Sequence, residues 1–350
     1  MIELNGKDAE GGGQILRSAL ALALATGQAF RLVEVRGNRA KPGLMRQHLT
    51  ALRAAAAVCN GRVTGDDLGS RTVTFAPGPV QPGHYKFEIG TAGSTVAVLQ
   101  ALLPALAKAS AASSVTITGG THNPMAPPFD YLATTLAPQL TRIGWNVRFT
   151  LQRPGFAPAG GGALTAHLAP AGQLETLHLH ERGHAKAAVA RALLSNLRRD
   201  IGERELAELT DRLRALPNAP QLSQSDIYSV RNAQGPGNML SLALEFEHVT
   251  DLLTCIGERG KPAQHVADDV ATQAAAYLAA EAPVGEYLCD QLLVPLAVTA
   301  GGSFRATRWS PHAMAQANLI NTFFPHTVSY QPFRGSDEVM VTVAKPNHGA

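Results

Sequence analysis

The sequence is short of charge. Lys, Arg, Asp and Glu make up 16% of its 350 residues, against about 25% in an average soluble domain. The 30 bases and 27 acids leave a net charge of only +3, which gives no wholesale electrostatic reason to coat nucleic acid. With 45% hydrophobic residues the chain has material for a large core and is not disordered. Long apolar runs are missing. The nearest, 19–25, falls far short of the ~18 residues a membrane helix needs, so no membrane partner is expected. The opening, Met-Ile-Glu-Leu-Asn-Gly-Lys, lacks the basic and apolar regions of a signal peptide. Cysteine is scarce as well: Cys59, Cys255 and Cys289 are too few and too scattered for a disulfide frame or a zinc site. They read as reduced thiols, and hence as a sign of a cytoplasmic protein.

Familiar nucleotide signatures are also absent. GxxxxGK[ST] does not occur, nor does GxGxxG after a first strand, which argues against P-loop and Rossmann sites. No lysine is followed by x-Asp-Gly, HExxH is missing, and only His48-Leu49-Thr50 fits one half of a paired His-x-Thr phosphoesterase.

What is present is a recurring pattern. Helix-like runs at 15–25, 95–108 and 286–298 are each followed by a strand-like stretch, at 30–35, 115–117 and 304–306. A turn-rich loop then leads to a second helix at 44–58, 129–143 or 313–323, and two further strands close each unit. The loop prolines Pro42, Pro127 and Pro311 stand 85 and 184 residues apart, an excess of 99 residues in the second interval. The sequence therefore predicts an α/β fold of three αβαββ units, spanning 1–179 and 279–350. A smaller inserted α/β domain is expected at 180–278, with helices at 203–216 and 263–280 and strands at 240–246 and 252–256.

The loops before the second helices hold Arg39 and Lys41, His122 and Asn123, and Arg308 and His312, which suggests an anion-binding edge. Glu10-Gly11-Gly12-Gly13-Gln14-Ile15-Leu16-Arg17 sets an acid and an arginine around a glycine turn. Glu10 could face a cation and Arg17 a phosphate oxygen; a simple helix-start turn is the alternative. Arg39-Ala40-Lys41-Pro42-Gly43 and Arg46-Gln47-His48 suit a phosphate, or merely a solvated helix start. Tyr287, Asp290 and Gln291 share one helix stripe, suited to a nucleoside or to core packing. His312, just after Pro311 at a helix start, could act as an imidazole nucleophile toward phosphorus. No chemistry is assigned to the glycine-rich stretch 154–162.

Taken in order, EGGGQILRS, RAKPG with RQHLT, GGTHNPMAPP, GFAPAGGG, QGPGN, VGEYLCDQL and the late His312 resemble the RNA 3′-terminal phosphate cyclases over about 2–343. The resemblance implies three repeats similar to the C-terminal domain of translation initiation factor 3, with an insert before the third. It also implies an ATP-dependent conversion of an RNA 3′-phosphate to a 2′,3′-cyclic phosphate. His312 would become adenylylated, and AMP would pass to the RNA end as RNA(3′)pp(5′)A before ring closure. The adenylate pocket maps to Gln100, Pro127, Tyr287, Leu288, Cys289, Asp290 and Gln291. Glu10 maps to the acid beside a divalent metal, Mg2+ or Mn2+, and Arg17, Arg39, Arg46, Gln47 and His48 to the RNA terminal phosphate. Two departures from the family pattern are Pro154 before Gly155, where His or Arg is usual, and Cys289 in place of a small residue such as Ala. An alternative is a non-catalytic, cyclase-like RNA-binding protein of ribosome maturation, which would lack the histidine. An enolpyruvyl-shikimate-phosphate type of transferase would need its own phosphate-binding lysines. Whether the chain pairs as a homodimer is left open.

Overall fold

The computed structural model describes residues 1–8, 13–333 and 335–345. The chain is mixed α/β, and one strand order recurs in three sheets. The first unit runs β1 (Ile2–Asn5), α1 (Gln14–Thr26), β2 (Phe30–Val33), α2 (Arg46–Ala57), β3 (Arg62–Thr64) and β4 (Val73–Ala76), in sheet order β1-β2-β4-β3. The second has β5 (His84–Glu88), α3 (Thr95–Ala107), β6 (Ser113–Gly119) and a helix built of α4 (Phe129–Tyr131), a π-type turn (Leu132–Leu136) and α5 (Ala137–Arg142). Strands β7 (Asn146–Arg153) and β8 (Gly162–Ala169) complete it, in order β5-β6-β8-β7.

After β9 (Leu177–Leu179) the chain leaves for a fourth sheet. That segment comprises β10 (Ala185–Ser195), α6 (Arg199–Ala215), β11 (Leu222–Val230), β12 (Gly237–Phe246), β13 (Thr250–Gly257) and α7 (Ala263–Ala279). It returns through α8 (Glu286–Ala297), β14 (Gly302–Ala306), α9 (Pro311–Phe323), β15 (Val328–Pro332) and β16 (Val339–Val343). The sheet order β15-β16-β14-β9 repeats that of the first two units. In all three, the first strand pairs parallel with the second, and the last two are antiparallel.

Each unit thus opens with a strand that the αβαββ reading lacks. All three, β1, β5 and β9, are edge strands held by a parallel neighbour, a long-range pairing that no local pattern records. The fourth sheet differs more, because β10 and β11 are unanticipated. Ala-Lys-Ala-Ala-Val-Ala-Arg-Ala-Leu-Leu-Ser, the β10 segment, is alanine-rich and favours helix locally. Pairing on both edges, with β11 and β12, overrides that preference.

Local chemistry sets the helix ends that matter for the site. Ser94 and Ser310 cap α3 and α9, their Oγ atoms accepting from the N–H groups of Ala97 and Ala313 at 3.1 Å. Pro311 occupies the first turn of α9, where its missing N–H costs nothing. Helices α1, α3 and α8 are apolar on nearly all sides because they meet in one continuous core. Leu20, Leu22, Leu99, Leu102, Leu292 and Ile320 are fully buried there. In the fourth sheet α6 and α7 cover one face with a core of their own. The opposite face leans on the second unit, through Leu193 and Met239 against Phe156 and through Leu252 N–H donating to Thr135 Oγ1 at 3.1 Å.

That junction explains the glycine-rich strings. A Cβ on Gly161 would stand 2.1 Å from the Gln234 side chain, and one on Gly237 would stand 2.0 Å from the Phe156 ring. The two segments interlock at a separation only glycine allows. Among the described residues no helix is long and apolar enough to cross a membrane.

Candidate active site

The first helices of the three units converge, and α9 brings His312 to their meeting point. His312 is exposed in the first turn of α9, with its Nδ1 2.8 Å from Gln14 Oε1 on α1. The Gln14 amide nitrogen faces three acceptors: Asp290 Oδ2 at 3.3 Å, the His312 carbonyl at 3.2 Å and Gln316 Oε1 at 3.2 Å. Turning the amide over would set its oxygen against three oxygens, so Oε1 must face the imidazole. Nδ1 therefore carries the hydrogen, which puts the lone pair on Nε2. Ser18 donates to Gln316 Oε1 at 2.8 Å and locks the far end of this chain of contacts.

Asp290 lies within electrostatic reach of both Arg17 and His312. Burial pushes its carboxyl up to about 6, and the nearby charges of Arg17 and His312 oppose the rise. Burial also lowers the Arg17 pKa, against the attraction of Asp290. A cavity of about 50 Å³ opens beside the pair, lined by Arg17, Gln100, Asp290, Gln291 and Gln316 with Trp145 in its wall. Gln100 Nε2 donates to Gln291 Oε1 at 3.1 Å, and Gln291 Nε2 donates to the Tyr287 carbonyl at 3.1 Å. The Tyr287 ring is 59% exposed, so it offers a face and is not core packing. Leu288 and Cys289 point the other way, into the core, and burial pushes the Cys289 thiol up, away from reactivity. At those two positions only the backbone can address a ligand.

A family profile described as RNA 3′-terminal phosphate cyclase matches residues 8–330. A curated protein of that name from Koribacter versatilis is 46% identical over 325 residues, covering 93% of this chain and 90% of its own. One from Salmonella agona is 44% identical over 342 residues, covering 98% and 97%, and one from Ralstonia nicotianae is 45% identical over 343 residues, covering 98% and 97%. The chain belongs to the RNA 3′-terminal phosphate cyclase family.

In this member of the RNA 3′-terminal phosphate cyclase family, the remaining candidates lie on neighbouring elements. Arg17, Gln47 and His48 line a second, smaller cleft with Gly13, and Arg17 borders both clefts. A Cβ on Gly13 would stand 2.1 Å from His48 Nε2, so glycine is required for the imidazole to lie under the start of α1. Burial lowers the His48 pKa to about 4, helped by Arg36 and Arg17, and its Nδ1 accepts the Met45 N–H at 3.3 Å. His48 therefore caps α2 as a neutral ring and brings no positive charge to a phosphate. Gln47 Oε1 accepts the Ser94 N–H at 2.7 Å, tying α2 to the start of α3. Arg46 reaches toward Gly90, and Arg39 sits half-buried beside Arg36. Pro127 is half-buried just before α4. Among the described residues no hydrogen bond or ion pair joins Arg39, Arg46 or Pro127 to the His312 cluster. Glu10 lies outside the described residues.

The expected cationic edge is smaller than the loops suggested. His122 is fully buried, bonded through Nε2 to Asp130 at 2.8 Å and through Nδ1 to Thr121 Oγ1 at 2.8 Å, and stacked on Phe156. Arg308 faces Glu286 at 3.5 Å. Gln316 and Ser18 were not singled out from the sequence. The available signal is spacing, since Gln316 follows His312 by four residues and so shares its helix face.

Proposed function

We propose that the protein converts an RNA 3′-phosphate to a 2′,3′-cyclic phosphate at the expense of ATP, a ligase-type reaction forming a phosphoric ester. The observation that carries this reading is the His312–Gln14 contact, because it sets the tautomer a nucleophilic imidazole needs. Nε2 of His312 attacks the α-phosphorus of ATP, the N–P bond forms and pyrophosphate leaves. As the ring gains positive charge, the Nδ1–H to Gln14 bond strengthens, and Asp290 supplies a compensating field. The N-terminus of α9 favours the incoming phosphates. Tyr287 offers a stacking face to the adenine, opposite Pro127, while Gln100, Asp290 and Gln291 border the nucleoside. Glu10 is the proposed acid for a divalent cation, Mg2+ or Mn2+, which when bound would offset phosphate charge.

AMP then passes to the RNA 3′-phosphate, giving RNA(3′)pp(5′)A and freeing His312. Arg17, Arg39, Arg46 and Gln47 are the proposed groups for that phosphate; His48 supports them by packing. The neighbouring 2′-hydroxyl attacks the activated phosphorus and expels AMP. It needs no further recruitment, since intramolecular groups in favourable geometry act at effective molarities of about 10⁵–10⁸ M. We read 180–278 as an inserted domain whose sheet buttresses the second unit.

The test is incubation with α-labelled ATP and a divalent cation. An acid-labile protein–AMP adduct is expected, lost in His312→Ala with an unchanged circular dichroism spectrum because the ring is exposed. Labelling that survives in this variant would place the nucleophile elsewhere.

A further inference from the structure

His178 and His180 sit on the outer face of the third unit's sheet, where the alternation along β9 turns Leu177 and Leu179 inward. Both imidazoles converge on one atom. His178 Nδ1 is 3.3 Å and His180 Nε2 2.8 Å from the Ser303 hydroxyl of β14, and the two rings meet edge to face with centroids 6.0 Å apart. Ser303 is the partner of His178 in the parallel register, and His180 stands one residue beyond the end of β9. The Ser303 hydroxyl, with one proton and two lone pairs, can accept from one ring and donate to the other, which holds both imidazoles facing it. Two imidazole nitrogens and an oxygen held this close together are also the makings of a partial coordination sphere.

We propose that His178, His180 and Ser303 form a binding site for a borderline divalent cation of the Zn2+ class. Imidazole prefers such ions to Mg2+ or Ca2+. The two nitrogens need approach a common centre to only about 2.0–2.1 Å, with the hydroxyl and water completing a tetrahedron. Among the described residues no group of three or more His, Cys, Asp or Glu is placed to hold a metal, so this is an open, two-imidazole site. The nearest cation along the strand, Arg305, is already offset by Glu338 at 3.4 Å and Glu281 at 4.0 Å. A bound ion would clip β9 to β14 across more than 120 residues of intervening chain, at an edge strand of only three residues. This site is separate from His312 and stands whether or not the proposed reaction does.

The experiment is calorimetric titration of chelator-treated full-length protein with ZnCl2, paired with thermal unfolding. His178→Gln and His180→Gln keep an amide to meet Ser303 but remove the zinc ligand, and their exposure leaves the fold intact. The expected result is one Zn2+ bound with a raised unfolding midpoint, affinity falling at least about tenfold in each variant. His312→Ala should bind zinc as the unaltered chain does, and MgCl2 should give no heat at this site. Absence of zinc binding to the unaltered protein, or unchanged affinity in either glutamine variant, would overturn the proposal.

Discussion

Replacing Gln14 by leucine removes the acceptor that holds His312 while keeping most of the side-chain volume. In the resting enzyme the lost contact is an ordinary hydrogen bond at a solvent-accessible position. In the proposed attack the imidazole becomes cationic, and a bond to a charged group is worth about 1.5–3 kcal/mol. At about 1.36 kcal/mol per tenfold in rate, adenylylation of His312 should slow about 10- to 150-fold. Solvent access favours the lower end of that range. ATP affinity should change little, since Gln14 acts through the ring and is a positioning residue. The assay is single-turnover labelling at saturating α-labelled ATP, with nucleotide binding measured separately. Gln14→Glu offers a graded control, keeping an acceptor for Nδ1 but turning a second oxygen toward the His312 carbonyl and Gln316 Oε1. A labelling rate equal to that of the unaltered protein in Gln14→Leu would refute the tautomer argument.

Further expectations concern the pocket, the junction and one buried acid. Tyr287→Ala should raise the ATP KM about tenfold, as loss of one stacked base implies, with little effect on stability because the ring is exposed; an unchanged KM would remove Tyr287 from the pocket. Gly237→Ala forces a methyl against the Phe156 ring and should lower stability in urea by about 1–3 kcal/mol, whereas an unaltered midpoint would mean the junction is loose. Glu205, 1% exposed, bonds Asn238 through one oxygen and has no partner on the other, and burial raises its pKa to about 7. A carboxyl raised in the fold contributes stability at low pH that is lost as pH climbs from its ordinary value through 7. Glu205→Gln stays neutral, so its stability relative to the unaltered chain should increase from pH 5 to pH 8, and a pH-independent difference would contradict the assignment.

Much of this molecule is legible in the residues themselves. The helices of the three units follow from apolar periodicity, with Pro311 marking the start of one. Such signals are local, carried within a dozen residues, so a chain read end to end retains them. Tyr287, Gln291 and His312 also carry local marks: a helix stripe in one case, a helix start in the other. Partnership is another matter. Gln14 and His312 stand 298 residues apart, and Gln100 and Gln291 stand 191 apart. Nothing in either neighbourhood specifies that they touch. The same holds for β10, whose alanines become a strand only because two neighbours pair with it, and for His48 and His122. Both stand beside basic or loop residues that suggest a phosphate edge, yet packing makes one a neutral cap and the other a buried partner of Asp130. Helix and strand propensity act over a few bonds and can be read in order. Desolvation, tautomer and charge depend on what the finished core brings within 3 Å, and that was decided only when the three helices met.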